Sequence, residues 1–354
     1  MKVLYVLRYF PTLTETFVYR EIAEIQRQDP GVSITIAALG SRADGALQDE
    51  LPPGEVLNIP RRPLTGRLRR ATAGQQWLAE QQRDKDAARL PWLARHAAEF
   101  DRIHVHFAGE AAEFAHALHR DLGLPYTVTV HATDLFRPRP SLHTVLSAAD
   151  AVLTVADFHV AVLATQGITA QRVRCGPDLS VWHPTPLPDG ELHAISVGRN
   201  VPKKGLDTLL SAWDGLPGRL TLISDLTGPL PDGVTVTGAL PPSGIRAAMA
   251  KANLFVLPCR QAPDGDLDGV PVAMMEAMAC GRPVITTPVS GIPELVDDAV
   301  GWLVPPDDPK TLRACLKQAT HNARKSRGEA GPTRLRERGF TLANQAHMVR
   351  ASWG

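Results

Sequence analysis

Residues 264–281 read DGDLDGVPVAMMEAMACG, and this stretch decides the fold. Its apolar run VPVAMMEAMAC is opened by Asp268-Gly269 and closed by Gly281. Pro271 sits where a first helical turn has a spare N–H, and Gly281 sits where a helix commonly stops. Ala, Met and Glu fill the interior and are good helix formers, so the pattern predicts a helix. Glu276 is then a lone carboxylate in an apolar helix. Burying it without partners is costly, so it calls for hydrogen-bond donors or a ligand with hydroxyls. The free backbone N–H groups at the helix start form an anion site worth ~0.3–1 kcal/mol, which places Gly269, Val270 and Pro271 beside the bound group. An anion at the helix mouth and a polyol two turns along describe a nucleotide sugar.

A calcium loop competes for the same residues, because Asp264, Asp266, Asp268 and Gly269 match the start of an EF-hand. That loop needs a bidentate Glu at its twelfth position, which here is Met275, and Glu276 falls one residue late. Pro271 and the apolar filling also speak against it, so no metal is expected.

The 354 residues are 44% hydrophobic, enough for two medium domains with real cores. A formal net charge of +1 gives no general drive towards nucleic acid. Cys175, Cys259, Cys280 and Cys315 form no C-x-x-C pair, so neither zinc nor a disulfide framework is suggested. No apolar run reaches the ~18 residues of a spanning helix, and VLYVL runs straight into Arg8, too short for a signal peptide. The expectation is a cytoplasmic enzyme.

Asp268-x7-Glu276 followed by Ala-Met-Ala-Cys-Gly resembles the Glu-x7-Glu signature of retaining GT-B glycosyltransferases of glycosyltransferase family 4. In that family the first acid contacts the donor sugar and the second holds the ribose hydroxyls. The resemblance thus implies a catalytic role for Asp268 and a donor-binding role for Glu276. Asp for Glu at the first position draws the carboxylate back by roughly a bond length. The DG-x-PV-x-x-MEAMA wording is similar to the colanic-acid-type exopolysaccharide transferases.

From the N-terminus, KVLYVL (2–7) reads as a buried strand and 17–28 as a helix. Between them lies FPTLTETF, where Thr12 and Glu15 have capping-box spacing, so the helix is expected to start near Thr12 or Thr14. This loop falls at the strand C-terminal edge, where α/β sheets bind ligands. It resembles the FP-x-LSETF opening of the colanic-acid-type enzymes, which places Thr14 and Glu15 on the acceptor or phosphate side. VSITIAAL (32–39) is a second strand, and Pro52, Pro53 and Gly54 suggest loop. Arg61, Arg62, Arg67, Arg69 and Arg70 then crowd into residues 61–70. Such a run is ordinarily a solvated face; near an anionic membrane each cation contributes ~1 kcal/mol, so peripheral membrane contact is the alternative.

IHVHF (103–107) alternates as a strand, 111–122 is helical, and YTVTVHA (126–132) is another strand ending near His131. The phrases H-x-HF-A-G and HATDLF resemble the family's segments. They imply that His131 reaches the donor sugar and phosphate, with His106 and Asp134 on the acceptor side. RVRCGPDLSVWHPT (172–185) resembles the family's bridge between domains, and Pro184, Pro186 and Pro188 stiffen the linker. The expected domains are therefore 1–183 and 184–338, with 339–354 packing back on the first.

The second domain opens with AISVGRNVPKKGLDTLLSAW (194–213), a strand ending at Gly198, a basic loop and a helix. No G-x-G-x-x-G dinucleotide fingerprint exists. A guanidinium fork at Arg199 and an ammonium at Lys204 near a helix mouth suit a diphosphate, since charge-assisted bonds are roughly twice as strong as neutral ones. The loop also resembles the family's G-R-x-x-x-K-K-G, with Lys203 expected to be the exposed lysine of the pair. Ser243 is a candidate helix cap, as is Thr341.

The fold implied is α/β and GT-B: two Rossmann-like, doubly wound parallel-sheet domains facing a cleft. The function implied is a retaining glycosyltransferase moving sugar from a nucleoside-diphosphate sugar to a glycan, lipid-linked or small-molecule acceptor, without cofactor or metal. Two alternatives stay open: a non-catalytic subunit that binds the sugar nucleotide, and a sugar-nucleotide epimerase on the same architecture.

Overall fold

The computed structural model of the chain describes residues 1–12, 14–41, 51, 54–60 and 71–354. Residues divide into two compact units. Unit 1 is Met1–Val155, Val160–Val173 and Ala346–Gly354; unit 2 is Ala156–His159 and Arg174–Gln345. Residues 61–70, with the arginine run, lie outside the described residues, as do Pro52 and Pro53.

Unit 1 is built on seven parallel strands: β1 (Lys2–Tyr9), β2 (Ser33–Gly40), β3 (Val56–Asn58), β4 (Arg102–His106), β5 (Tyr126–Val130), β6 (Ala151–Thr154) and β7 (Gln171–Arg172). Their order is β3-β2-β1-β4-β5-β6-β7. Central strands such as β1 and β5 are buried along most of their length, as a sheet covered on both faces demands. One core packs Leu4, Val6, Ile103, Val105 and Val128 against the helix Glu110–Leu122. The other packs Val3, Tyr5 and Ile34 against the helix Thr16–Gln28 and against Ala346, Val349 and Trp353 of the returning tail. Each fully buried Val, Leu or Ile contributes roughly 1.5–3 kcal/mol.

Unit 2 carries six parallel strands: β8 (His193–Val197), β9 (Arg219–Ile223), β10 (Val234–Val236), β11 (Leu254–Leu257), β12 (Val284–Thr286) and β13 (Gly301–Leu303). Their order, β10-β9-β8-β11-β12-β13, is the doubly wound order of a dinucleotide-binding sheet. The sheet reverses direction of growth between β8 and β11, and the equivalent point in unit 1 lies between β1 and β4. Ligands bind such sheets at the carboxyl ends of the strands flanking that point.

Three local expectations are corrected. The first helix begins at Thr16, with Glu15 as its cap position, and the Thr12 hydroxyl accepts from the Tyr19 hydroxyl at 3.1 Å. Ser243, the candidate cap, lies inside its helix, which begins at Pro242 because proline fits the first turn. Pro271 caps the helix Val272–Ala279 rather than lying inside it, and Gly281 stops it with φ at 77°. Thr341 does cap: its hydroxyl accepts from Asn344 N at 3.2 Å. Among the described residues no helix is long and apolar enough to cross a membrane.

Candidate active site

In unit 2 the chain leaves β8 at Val197 and enters the loop of Gly198, Arg199 and the short 3-10 turn Pro202–Lys204. Gly205 ends that turn with φ at 62°, and a Cβ there would sit 2.1 Å from the Pro258 carbonyl oxygen just beyond β11. Only a glycine lets the loop close on β11 at this angle. The consequence is that both lysines arrive at the β8/β11 reversal point. The stem of Lys204 lies along Gly198, whose notional Cβ would be 3.4 Å from it.

There Lys204 Nζ lies 2.7 Å from Asp268 Oδ2, while Lys203 Nζ lies 3.4 Å from Asp268 Oδ1 and 3.0 Å from Asp266 Oδ2. Lys203 was expected to be the exposed one of the pair, yet its side chain keeps 13% of its surface against 16% for Lys204. The turn geometry explains this, since the two stems converge on one carboxylate instead of alternating. Burial works to lower the Lys204 pKa, but the neighbouring Asp268 and the Cys259 side chain outweigh it and raise it above the ordinary lysine value. For Asp268, burial works upward and the two ammonium groups prevail, holding its pKa below normal. Both partners are therefore charged near neutrality. The Cys259 thiol, 3.7 Å from Asp268, is pushed up by burial and by that carboxylate, so it is no nucleophile.

Asp266 and Asp268 pair with the two lysines, while Asp264 is exposed. Arg199 is exposed; its positive charge opposes that of Lys204 and helps depress Asp225, whose carboxylate accepts from Asn200 N at 2.6 Å. Glu276 is buried, 5% exposed, inside the helix Val272–Ala279. Gly269 and Asp268 are half-buried and Val270 and Pro271 buried at that helix's mouth. Behind them Gly291 packs so tightly that a Cβ would meet Val270 at 3.1 Å. The same turn holds Glu294, which accepts from Asp157 N and Phe158 N, both at 2.9 Å, and pairs with Arg174 at 3.2 Å. Arg282, fully buried, donates to the carbonyls of Met249, Thr185 and Cys280 and to the Thr185 hydroxyl. Sequence reasoning passed over both Arg174 and Arg282.

In unit 1 two of the expected residues meet. His106, the last residue of β4, has Nδ1 3.1 Å from His131 Nε2, just beyond β5. His106 Nε2 is in turn 2.9 Å from Glu21 Oε1, which also accepts from the Tyr5 hydroxyl at 2.9 Å. His106 is 2% exposed, so it stands behind His131. Asp134 accepts from His131 N at 2.9 Å; burial pushes its carboxyl up to about 6 against the pull of backbone N–H groups. Of the Thr14-Glu15 loop it is Phe17 that reaches the pair, its ring 5.1 Å from that of His131, while Thr14 is exposed and Glu15 half-buried. His104, two residues before His106, is driven down to about 3 by burial and stays neutral.

Among the described residues one group of acid and histidine side chains is close enough to hold a metal: Glu21, His104 and His106, within 4.8 Å of one another. Hydrogen bonds already engage them, His104 bonding Thr127 at 2.6 Å and Thr129 at 3.2 Å. Also in unit 1, at the carboxyl ends of β1 and β2, a cavity of about 260 Å³ is lined by Arg8, Arg83, Lys85, Arg89, Asp86 and Glu110. Ion pairs tie its wall, Arg83 to Glu113 at 2.6 Å and Arg89 to Asp86 at 3.0 Å.

Two parallel Rossmann-type sheets with these strand orders define the GT-B architecture. HepE of Anabaena, solved with UDP and glucose, superposes with a TM-score of 0.77 at 17% identity, covering 100% of this chain and 99% of that one. Sucrose-phosphate synthase from Thermosynechococcus elongatus gives 0.76 at 18% identity, covering 100% and 98%. Residues 191–322, most of unit 2, match the model of the family described as glycosyl transferases group 1. Among curated proteins, WcaL of Escherichia coli K12, provisionally named a colanic acid biosynthesis glycosyltransferase, is 34% identical over 49% of this chain. The amylovoran biosynthesis glycosyltransferase AmsK of Erwinia amylovora is 39% identical over 39% of it. The matches span 48% and 37% of those relatives, so the chain covers about half their length or less.

Proposed function

We propose that the protein is a retaining glycosyltransferase of family 4 that transfers a sugar from a nucleoside-diphosphate sugar during polysaccharide biosynthesis. The observation that carries this reading is the pair Lys203 and Lys204 at the β8/β11 reversal point, beside the mouth of the Glu276 helix. Their ammonium groups, with Arg199, suit a diphosphate. As the sugar–phosphate bond breaks, charge grows on the leaving phosphate, and fixed cations stabilise that change most. Glu276 would hold ribose hydroxyls, and Gly269 with the helix N–H groups would meet the phosphate. The acceptor hydroxyl attacks the anomeric carbon on the face the diphosphate leaves, its proton passing to that phosphate. The cation-rich cavity of unit 1 is the candidate acceptor side. The curated relatives' names support glycosyl transfer in polysaccharide biosynthesis, and the UDP and glucose held by HepE support a nucleotide-sugar donor.

Thermal shift of the purified chain against UDP-, GDP- and dTDP-sugars tests this, since a ligand at a hundred times its Kd stabilises by about 2.7 kcal/mol. A shift with one base, followed by transfer with the anomeric configuration kept, is expected. No shift with any of them overturns the donor assignment. Isomerised donor without acceptor would instead indicate an epimerase.

A further inference from the structure

We infer that Glu21 and His106 are positioning residues that fix the proton arrangement of His131. This rests on the reading of His131 as the donor-facing residue of unit 1.

The chain of contacts permits few arrangements. Tyr5 is fully buried, and burial together with the Glu21 charge raises its pKa well above normal, so its hydroxyl keeps its proton and donates to Glu21. Glu21 is taken as the carboxylate, which has no proton to give. The 2.9 Å contact to His106 therefore requires His106 Nε2 to carry the hydrogen. In a neutral imidazole the other nitrogen is then bare, and His106 Nδ1 is the one facing His131 Nε2 at 3.1 Å. That contact in turn requires the hydrogen on His131 Nε2. The result is a His131 whose hydrogen sits on Nε2 and whose Nδ1 is the acceptor nitrogen, in the way a buried carboxylate sets the tautomer of a histidine elsewhere. Packing keeps the ring in place: Phe107 lies 4.3 Å and Phe17 5.1 Å from it, centre to centre, and His106 is stacked at 5.4 Å. No part of this is visible at the exposed surface, since Glu21 and His106 are 0% and 2% exposed.

The test uses the full chain labelled with 15N-histidine. Long-range 1H–15N correlation at neutral pH is expected to show His106 and His131 both as neutral Nε2–H tautomers. In Glu21→Gln, whose amide can donate to His106 Nε2, both tautomers are expected to change. The kcat should fall at least tenfold while donor Kd stays within twofold, because the donor cations belong to unit 2. His106→Asn, which keeps an acceptor for His131 Nε2–H, should retain more kcat than His106→Leu. An Nδ1–H or doubly protonated His131 in the wild-type spectrum overturns the inference whether or not any variant folds. So does unchanged kcat in Glu21→Gln, or one equivalent of bound metal lost in His104→Gln. If the wild-type chain transfers no sugar, the proposed function fails, and the spectrum still decides the tautomer.

Discussion

Asp268 accepts from two successive lysines, Lys204 at 2.7 Å and Lys203 at 3.4 Å. The first acid of the Asp-x7-Glu motif thus stands against the very cations that suit a diphosphate. A buried ion pair is weak evidence for stability, but removing one partner is strongly destabilising because a charge is left alone. Here Lys203 remains if Lys204 is lost, so the local structure has a reserve.

Lys204→Ala is accordingly expected to fold and to lose donor. A charge-assisted hydrogen bond contributes about 1.5–3 kcal/mol, so donor Kd should rise roughly 10- to 150-fold. Isothermal titration with the stabilising nucleotide sugar measures it; an unchanged Kd removes Lys204 from the diphosphate site.

Gly205→Ala tests how the loop is placed. A Cβ would collide with the Pro258 carbonyl at 2.1 Å and hold a side chain at φ 62°. A loss of more than 1 kcal/mol in unfolding free energy is expected, together with weaker donor binding, since both lysines ride on this turn. Urea unfolding and donor titration of the same sample separate the two effects. Full retention of both would mean the loop approaches β11 less closely.

Arg282→Met should cost about 3 kcal/mol or more. Burial lowers the Arg282 pKa, and its guanidinium satisfies several carbonyls that would otherwise be buried without donors. A chemical-denaturation midpoint within error of the wild type would show that water replaces the side chain.

Acid should weaken the fold before the carboxylates titrate. Burial lowers His104 to about 3 and His159 to about 4, both from 6.5, so between those values and 6.5 the unfolded chain binds protons that the native chain refuses. Stability is therefore lost as pH falls below about 6.5, by up to about 1.4 kcal/mol per pH unit for each group. Asp134, raised from 3.8 to about 6, acts with the opposite sign and adds stability as pH falls through that window. His104→Gln should reduce the slope of unfolding free energy against pH between 4.5 and 6 by close to one proton. An unchanged slope would mean His104 is already protonated in the native state.

Much of this was legible in the sequence, and the reasons are physical. Both sheets announce themselves as apolar runs because parallel strands are buried on both faces. The Gly281 stop and the Lys204–Gly205 turn show because glycine marks backbone that other residues cannot adopt. Glu21 was not legible: it lies between Arg20 and Glu24 on an amphipathic helix and reads as part of a solvated face, yet all three are buried. Only the pairing of β1 with β4 brings Tyr5 and His104 into register and so places His106 near Glu21. Lys203 was misjudged for a similar reason, because a 3-10 turn leaves no periodicity from which to read an inward face. Arg282 is hidden behind Gly281, where an arginine ordinarily signals a helix end meeting water.

The returning tail has a consequence for biogenesis. Trp353 sits edge-on to Tyr5 at 6.2 Å and to His104 at 5.8 Å, and Arg350 grips Asp29 at 2.8 Å. The half of the chain that leaves the ribosome first must therefore wait for the other half to be translated before its own interior is sealed. Chaperone demand should peak in that interval, and a substitution at Trp353 should be felt at Tyr5.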